Sequence, residues 1–143
     1  TEKHRKVIES YIEKQSPFVI VLNTQKSIKE DLINVRAACH PVRVLAGFNE
    51  YLDLPQPLIA PLAKLPNNVK KKLKLKKVFD FDITINANKF AFNTNSCTLP
   101  NLLVLSYALA IATSGKAKKI LLAGFDGYGA DEDGVFFSIS ASL

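Results

Sequence analysis

The run "FVIVL" at 18–22 does most to limit what this chain can fold into. It is short, wholly apolar and rich in β-branched residues. Such a run reads as a strand buried on both faces, the kind found in parallel sheets covered by helices. "KKILLAG" at 118–124 has the same character and predicts a last buried strand over 119–123. "VRVLA" at 42–46 reads as a third. Helical spacing separates these runs. Val7, Ile8, Tyr11 and Ile12 recur within 2–15, and Ile28, Leu32 and Val35 within 28–38. A long helix over 98–114 follows the polar "NTNS" at 93–96 and stops at Ser114-Gly115. Alternating strands and helices predict an α/β fold, a three-layer Rossmann-like sandwich with a mostly parallel sheet. In it, 18–22, 42–46 and 119–123 are expected as neighbouring parallel strands.

The remaining stretches are shorter. A short helix and a proline-rich turn are expected over 49–57, a strand in "LIAPLA", a turn at 65–68, a strand at Lys74–Phe79 and a short strand at 90–92. "DFDITINANK" reads as a loop. With 143 residues the chain is expected to be a single domain. It opens on a helix, whereas nucleotide-binding α/β domains open on a strand and a Gly-rich turn. That first strand and loop are therefore expected upstream of Thr1. The absence of methionine, position 1 included, points the same way, to a fragment or processed form.

The net charge of +6 raises the question of a nucleic-acid partner. Much of it lies in "KKKLKLKK" at 70–77. No aromatic residue alternates with these lysines as a stacking platform, and no arginine is there to read guanine. They read as a solvated strand edge, with no nucleic acid bound. No apolar run reaches the length of a membrane span, and no leader is visible, so a cytoplasmic protein is expected. Cys39 and Cys97 have no metal spacing and read as free thiols. Cys97 is expected at the start of the helix over 98–114, which lowers a thiol pKa where the group is exposed, but a small buried residue is the favoured reading.

In an open parallel sheet, ligands bind beyond the carboxyl ends of the strands. Polar residues gather at several such ends. Strand 18–22 exits into Asn23-Thr24-Gln25, strand 42–46 into Gly47-Phe48-Asn49, and strand 119–123 into Gly124-Phe125-Asp126-Gly127-Tyr128. Asn93, Asn95 and Ser96 precede the expected long helix, whose N-terminal N–H groups favour an anion. Gly124 and Gly127 permit a sharp turn, Asp126 can accept from a sugar hydroxyl or base, and Tyr128 can stack or hydrogen-bond. The acidic run Asp131, Glu132, Asp133 reads as a solvated loop without the spacing of a calcium site. His4 and His40 stand in no metal-ligand or catalytic spacing, and no nucleophile-elbow, P-loop or zinc-protease motif is present.

Two segments carry a family resemblance. "NTNSCTLPNLLVLSYALAIATSGKAKKILLAGFDGYGADED" resembles the C-terminal Rossmann-like domain of bacterial 4-hydroxy-2-oxovalerate aldolase-like, or HMG-CoA-lyase-like, proteins associated with surface-polysaccharide gene clusters. Sialyltransferase-like and pterin diphosphokinase-like domains have similar segments. "EKHRKVIESYIEKQSPFVIVLN" looks like the helix and strand that follow their Gly-rich loop. The resemblance implies a nucleotide-type site at Asn23, Asn95, Ser96, Gly124, Asp126 and Tyr128. It also implies an upstream aldolase-like barrel, with any divalent metal held there and no cofactor within this chain. The expected function is an accessory domain binding a nucleotide or nucleotide-activated sugar. The alternatives are a sialyltransferase-like glycosyltransferase domain and a structural or oligomerisation domain with a vestigial site. Asp126 is the one good acid–base candidate and no histidine accompanies it, which favours binding over catalysis.

Overall fold

The computed structural model describes residues 2–124 and 137–140. Helix α1 (Glu2–Gln15) sets Ile8 and Ile12 against Val21, Ile28 and Ile33. Its Glu9 is buried and accepts hydrogen bonds from Arg5 Nε (2.9 Å) and the Lys29 N–H (2.8 Å), which ties the helix to the loop after the first strand. Strands β1 (Ile20–Leu22), β2 (Val35–Ala37), β3 (Leu58–Ala60) and β4 (Val78–Asp80) form an all-parallel sheet in that order. Their register puts Ile20, Leu22, Val35, Ala37 and Ile59 on one face, and Val21, Arg36, Leu58 and Ala60 on the other.

Each face has its own cover. Helices α2 (Pro41–Ala46), α3 (Phe48–Asp53) and α4 (Asn67–Leu73) close over Leu58 and Ala60 with Val44, Phe48, Tyr51, Val69 and Leu73. Helix α5 (Val104–Ser114) covers the opposite face, where Tyr107, Ala108 and Ala110 share a core with Val35, Ala37 and Ile59. The result is the expected α/β class: helices on both sides of a mostly parallel sheet. No described helix is long and apolar enough to cross a membrane.

The sheet changes partner at Phe81. β4 runs straight on into β5 (Asp82–Ile85). The Phe81 N–H donates to Ala60 of β3 (3.3 Å), and the next N–H, of Asp82, donates to Asn95 (2.9 Å). Successive N–H groups of an extended chain point to opposite sides. The segment therefore pairs with β3 before Phe81 and with β7 (Ser96–Leu99) after it, and β7 also takes β6 (Ala91–Phe92) antiparallel. Strand β8 (Lys119–Leu122) pairs antiparallel with β9 (Phe137–Ser140).

Several expected elements change. Residues 42–46 are the helix α2 and not a strand, because Pro41 stands at its first position with φ already suited to a helix. Only Val44 of that run is buried; Val42 and Leu45 are exposed. The expected helix over 28–38 is a single 3-10 turn (Glu30–Leu32) followed by β2. Residues 35–39 are all buried, a pattern that needs packing on two faces and that an amphipathic surface helix cannot supply. The start of the expected helix over 98–114 is strand and loop, and α5 begins only at Val104. "DITI" is not loop but β5, alternating buried Ile83 with exposed Thr84. The lysines at 70–72 sit in the last turn of α4, where they offset the negative end of the helix dipole, and not along a strand edge. The expected trio of neighbouring parallel strands is thus replaced by β1 to β4, and β8 has only the antiparallel β9 as strand partner among the described residues.

Candidate functional site

At the carboxyl end of β1 the chain turns through Asn23, whose φ of 52° lies in the left-handed region that asparagine tolerates better than most residues. Its N–H still donates to Ala37 of β2 (2.9 Å). The loop beyond is held from beneath by Arg36, which is fully buried on β2. The guanidinium donates from Nη1 to the carbonyls of Asn23 (3.3 Å) and Gln25 (2.7 Å), from Nη2 to Glu30 Oε2 (2.9 Å) and from Nε to Gln56 Oε1 (2.8 Å). Gln56 Nε2 in turn donates to the Glu30 carbonyl (2.8 Å) and Oε2 (2.7 Å). A buried guanidinium is tolerated only with its donors satisfied in this way. The sequence held one signal for the network, an arginine inside the small apolar run 35–39.

The side chain of Asn23 is oriented as well. Tyr51 of α3 is 2% exposed, and its hydroxyl donates to Asn23 Oδ1 (3.5 Å). Burial pushes the phenol up to about 12, so it remains a neutral donor. Asn23 Nδ2 has no hydrogen-bond partner among the described residues. Beside it, Lys26 Nζ pairs with Glu50 (3.2 Å), and hydrogen bonds from Thr24 and Lys26 hold the Glu50 carboxyl below its usual range. His40 follows β2 at the same sheet edge, with Nδ1 buried and unpaired among the described residues. This edge offers fixed amide and hydroxyl groups. Glu50 and Tyr51 are shifted away from neutrality in opposite directions, which suits them to holding a ligand's polar groups more than to moving protons.

Only Asn23 of the expected site residues stands here. Asn95 and Ser96 belong to the tight turn joining β6 to β7, where the Asn93 N–H donates to the Ser96 carbonyl (2.7 Å) and Asn93 Nδ2 to Ser96 Oγ (3.4 Å). Ser96 starts β7 and Asn95 directly precedes it, whereas α5 begins beyond the strand's other end, capped by the backbone of Leu103 without a side-chain bond. The helix N-terminus therefore does not face them. Strands β2, β3 and the β4–β5 segment stand between them and Asn23. Gly124, two residues past β8, is exposed with φ 79° and has open space where a Cβ would be. Asp126 and Tyr128 lie outside the described residues, as does the acidic run Asp131, Glu132, Asp133. Gly47, Phe48 and Asn49 form the α2–α3 junction, not a strand end; Leu45, Phe48, Asn68 and Lys72 line a cavity of about 200 Å³ there, with no strand residue in its lining. Among the described residues no three His, Cys, Asp or Glu side chains group as metal ligands.

Both cysteines are free, as expected, and buried; only the placement of Cys97 differs, since it is within β7 and not at a helix start. It is 3% exposed, and Cys39 is fully buried after β2. Burial pushes both up to about 11. In the folded protein both are expected to resist a thiol-labelling reagent, reacting at least about 100-fold more slowly than in denaturant, since access requires a core opening. Time-resolved labelling followed by mass spectrometry checks this, and fast modification of either cysteine under native conditions would contradict the packing around α5.

No family model, curated protein or solved structure matches this chain.

Proposed function

We propose that this chain is a binding module that takes a nucleotide or nucleotide-activated sugar at the carboxyl edge of β1 and β2, as the accessory part of an aldolase-like protein. One observation carries the reading. Asn23 stands at the ligand-binding edge of a parallel sheet with its carbonyl fixed by buried Arg36 and its amide oxygen by buried Tyr51, so Nδ2 is a pre-oriented donor. The class of ligand comes from the family resemblance and from the general use of this edge in parallel α/β sheets.

Calorimetry with nucleoside mono- and diphosphates and nucleotide sugars tests it. Asn23→Gly keeps the left-handed backbone and removes the amide. It is expected to weaken binding by roughly 5- to 150-fold, the loss of one well-placed hydrogen bond worth about 1–3 kcal/mol. No binding across the panel, or equal binding by the glycine variant, would refute the site. A transferase reading draws on His40, whose unpaired Nδ1 lies at the same edge. Turnover of a nucleotide sugar that His40→Asn abolishes would favour that reading over simple binding.

A further inference from the structure

We infer that the open edge of β1 is a docking edge for one parallel β-strand, supplied by the stretch of the same polypeptide that leads into α1. This strand lies between β1 and β8 and joins the β8–β9 ribbon to the main sheet.

The first ground is a mismatch between composition and place. Among the described residues β1 is the end strand of its sheet. End strands are ordinarily protected by charge, proline or a bulge. From Phe18 to Leu22 the chain has none of these. Phe18 is 71% exposed, and Ile20 and Leu22, which face α5, are only half-buried. The sequence is that of a strand with neighbours on both sides.

The backbone agrees. The Val19 carbonyl accepts from Asn34 and Val35, and the Asn23 N–H donates to Ala37, so the odd-numbered residues address β2. By alternation the N–H groups of Ile20 and Leu22 turn to the open edge. The Ile20 carbonyl does the same, while that of Leu22 accepts from Gln25 (3.3 Å). Buried or half-buried backbone groups are rarely left without partners.

Chain handedness then fixes the occupant. β1, β2, β3 and β4 advance one place at a time in one direction, and their connections cross the face of Val21, Leu58 and Ala60. Helix α1 packs on that same face, against Val21. A parallel strand that feeds α1 by the right-handed crossover nearly all such units use must precede β1 by one place, at its open edge. Helix α5 lies on the opposite face and touches β1 and β2, so the crossover from β7 through α5 runs back toward the β1 side. It delivers β8, whose apolar Ile120, Leu121 and Leu122 are likewise only half-buried and which has one edge on β9 and the other without a strand partner among the described residues. One inserted strand satisfies both open edges. It is expected to be apolar on both faces.

Hydrogen exchange by NMR on the natural full-length polypeptide, without nucleotide, tests this separately from the ligand reading. Val21 is the internal reference, because its N–H faces β2. The inference expects the Ile20 and Leu22 amides to exchange within about tenfold of Val21. Exchange at least about 100-fold faster than Val21 would overturn it. So would protection that grows with protein concentration together with a doubled mass in light scattering, because a second copy would then occupy the edge.

Discussion

Replacing Arg36 by methionine is expected to lower stability by about 3–5 kcal/mol, the usual result of removing one partner from a buried charged network. Methionine fills the volume, so the loss isolates the polar network. Arg36 is completely buried, while the Glu30 side chain keeps 39% of its exposure. Glu30 can therefore recover some hydration, but buried Gln56 and the carbonyls of Asn23 and Gln25 lose their donor. Arg36→Lys should recover only part of the loss, since a single ammonium cannot span the three directions the guanidinium serves. The network also gives stability a pH dependence. Desolvation raises the Glu30 pKa, but hydrogen bonds from Gln56 and Arg36 outweigh it and leave the carboxyl below its ordinary range. A depressed carboxyl stabilises the fold fully above the unfolded value, about 4.3, and that stability is lost as pH falls through the depressed pKa. Urea unfolding should show the acid-side loss in the natural protein and a smaller one in Arg36→Met. A methionine variant within about 1 kcal/mol of the parent would mean that the network is dispensable.

How far the chain could be read from its letters depended on whether apolar pattern or long-range pairing decided each element. α1 was legible because its apolar residues recur at helical spacing, and two of them, Ile8 and Ile12, pack on Val21, although Val7 is exposed. β1 and β3 were legible as short apolar runs, and the α5 stop as Gly115, whose N–H donates to Ile111 (2.9 Å). β2 was hidden because Ile28, Leu32 and Val35 recur at helical spacing, and the partners that make Arg36 a core residue, Gln56, Glu30 and the carbonyls of Asn23 and Gln25, come together only in the fold. α2 was hidden in the opposite way. Val42 and Val44 suggested a strand, yet the backbone preset by Pro41 outweighed their β preference. β5 and β7 define each other through the pairs Asp82–Ser96 to Ile85–Leu99, and neither segment is apolar enough to announce itself. The candidate site followed the same division. Asn23 was visible because it directly follows an evident strand, but Arg36 and Tyr51, which orient it, were not. The pairing of Asn95 and Ser96 with a helix start failed because β7 and a four-residue loop, 100–103, intervene.

Tyr107→Ala is the second large effect, expected to cost about 3–5 kcal/mol as an aromatic-to-alanine truncation in a closed core. Its physical origin is the place where the sheet changes partner. At Phe81 the chain leaves β3 and takes up β7, and the Tyr107 hydroxyl of α5 donates to the Phe81 carbonyl there. The rings of Phe81 and Tyr107 meet edge to face, with centroids 5.7 Å apart and planes at 73°. One fully buried side chain thus ties α5 to the joint between β4 and β5. Tyr107→Phe separates the two contributions: it keeps the ring and leaves a buried carbonyl unpaired, at about 1–3 kcal/mol. Burial pushes the Tyr107 phenol strongly upward. A raised acid pKa means that the neutral form stabilises the fold below the unfolded value, about 10, and that this stability is lost as pH rises beyond it. Between pH 7 and 11 the natural protein should therefore lose stability that Tyr107→Phe does not, because phenylalanine has no proton to give up. The alanine variant should also speed exchange of the Asp82 and Thr84 amides, which face β7, more than that of the β2 amides, since β5 is the strand that depends on the joint. Equal loss across both sheets would show that Tyr107 only fills space, and a neutral Tyr107→Phe with an unchanged alkaline profile would remove its hydroxyl from the joint.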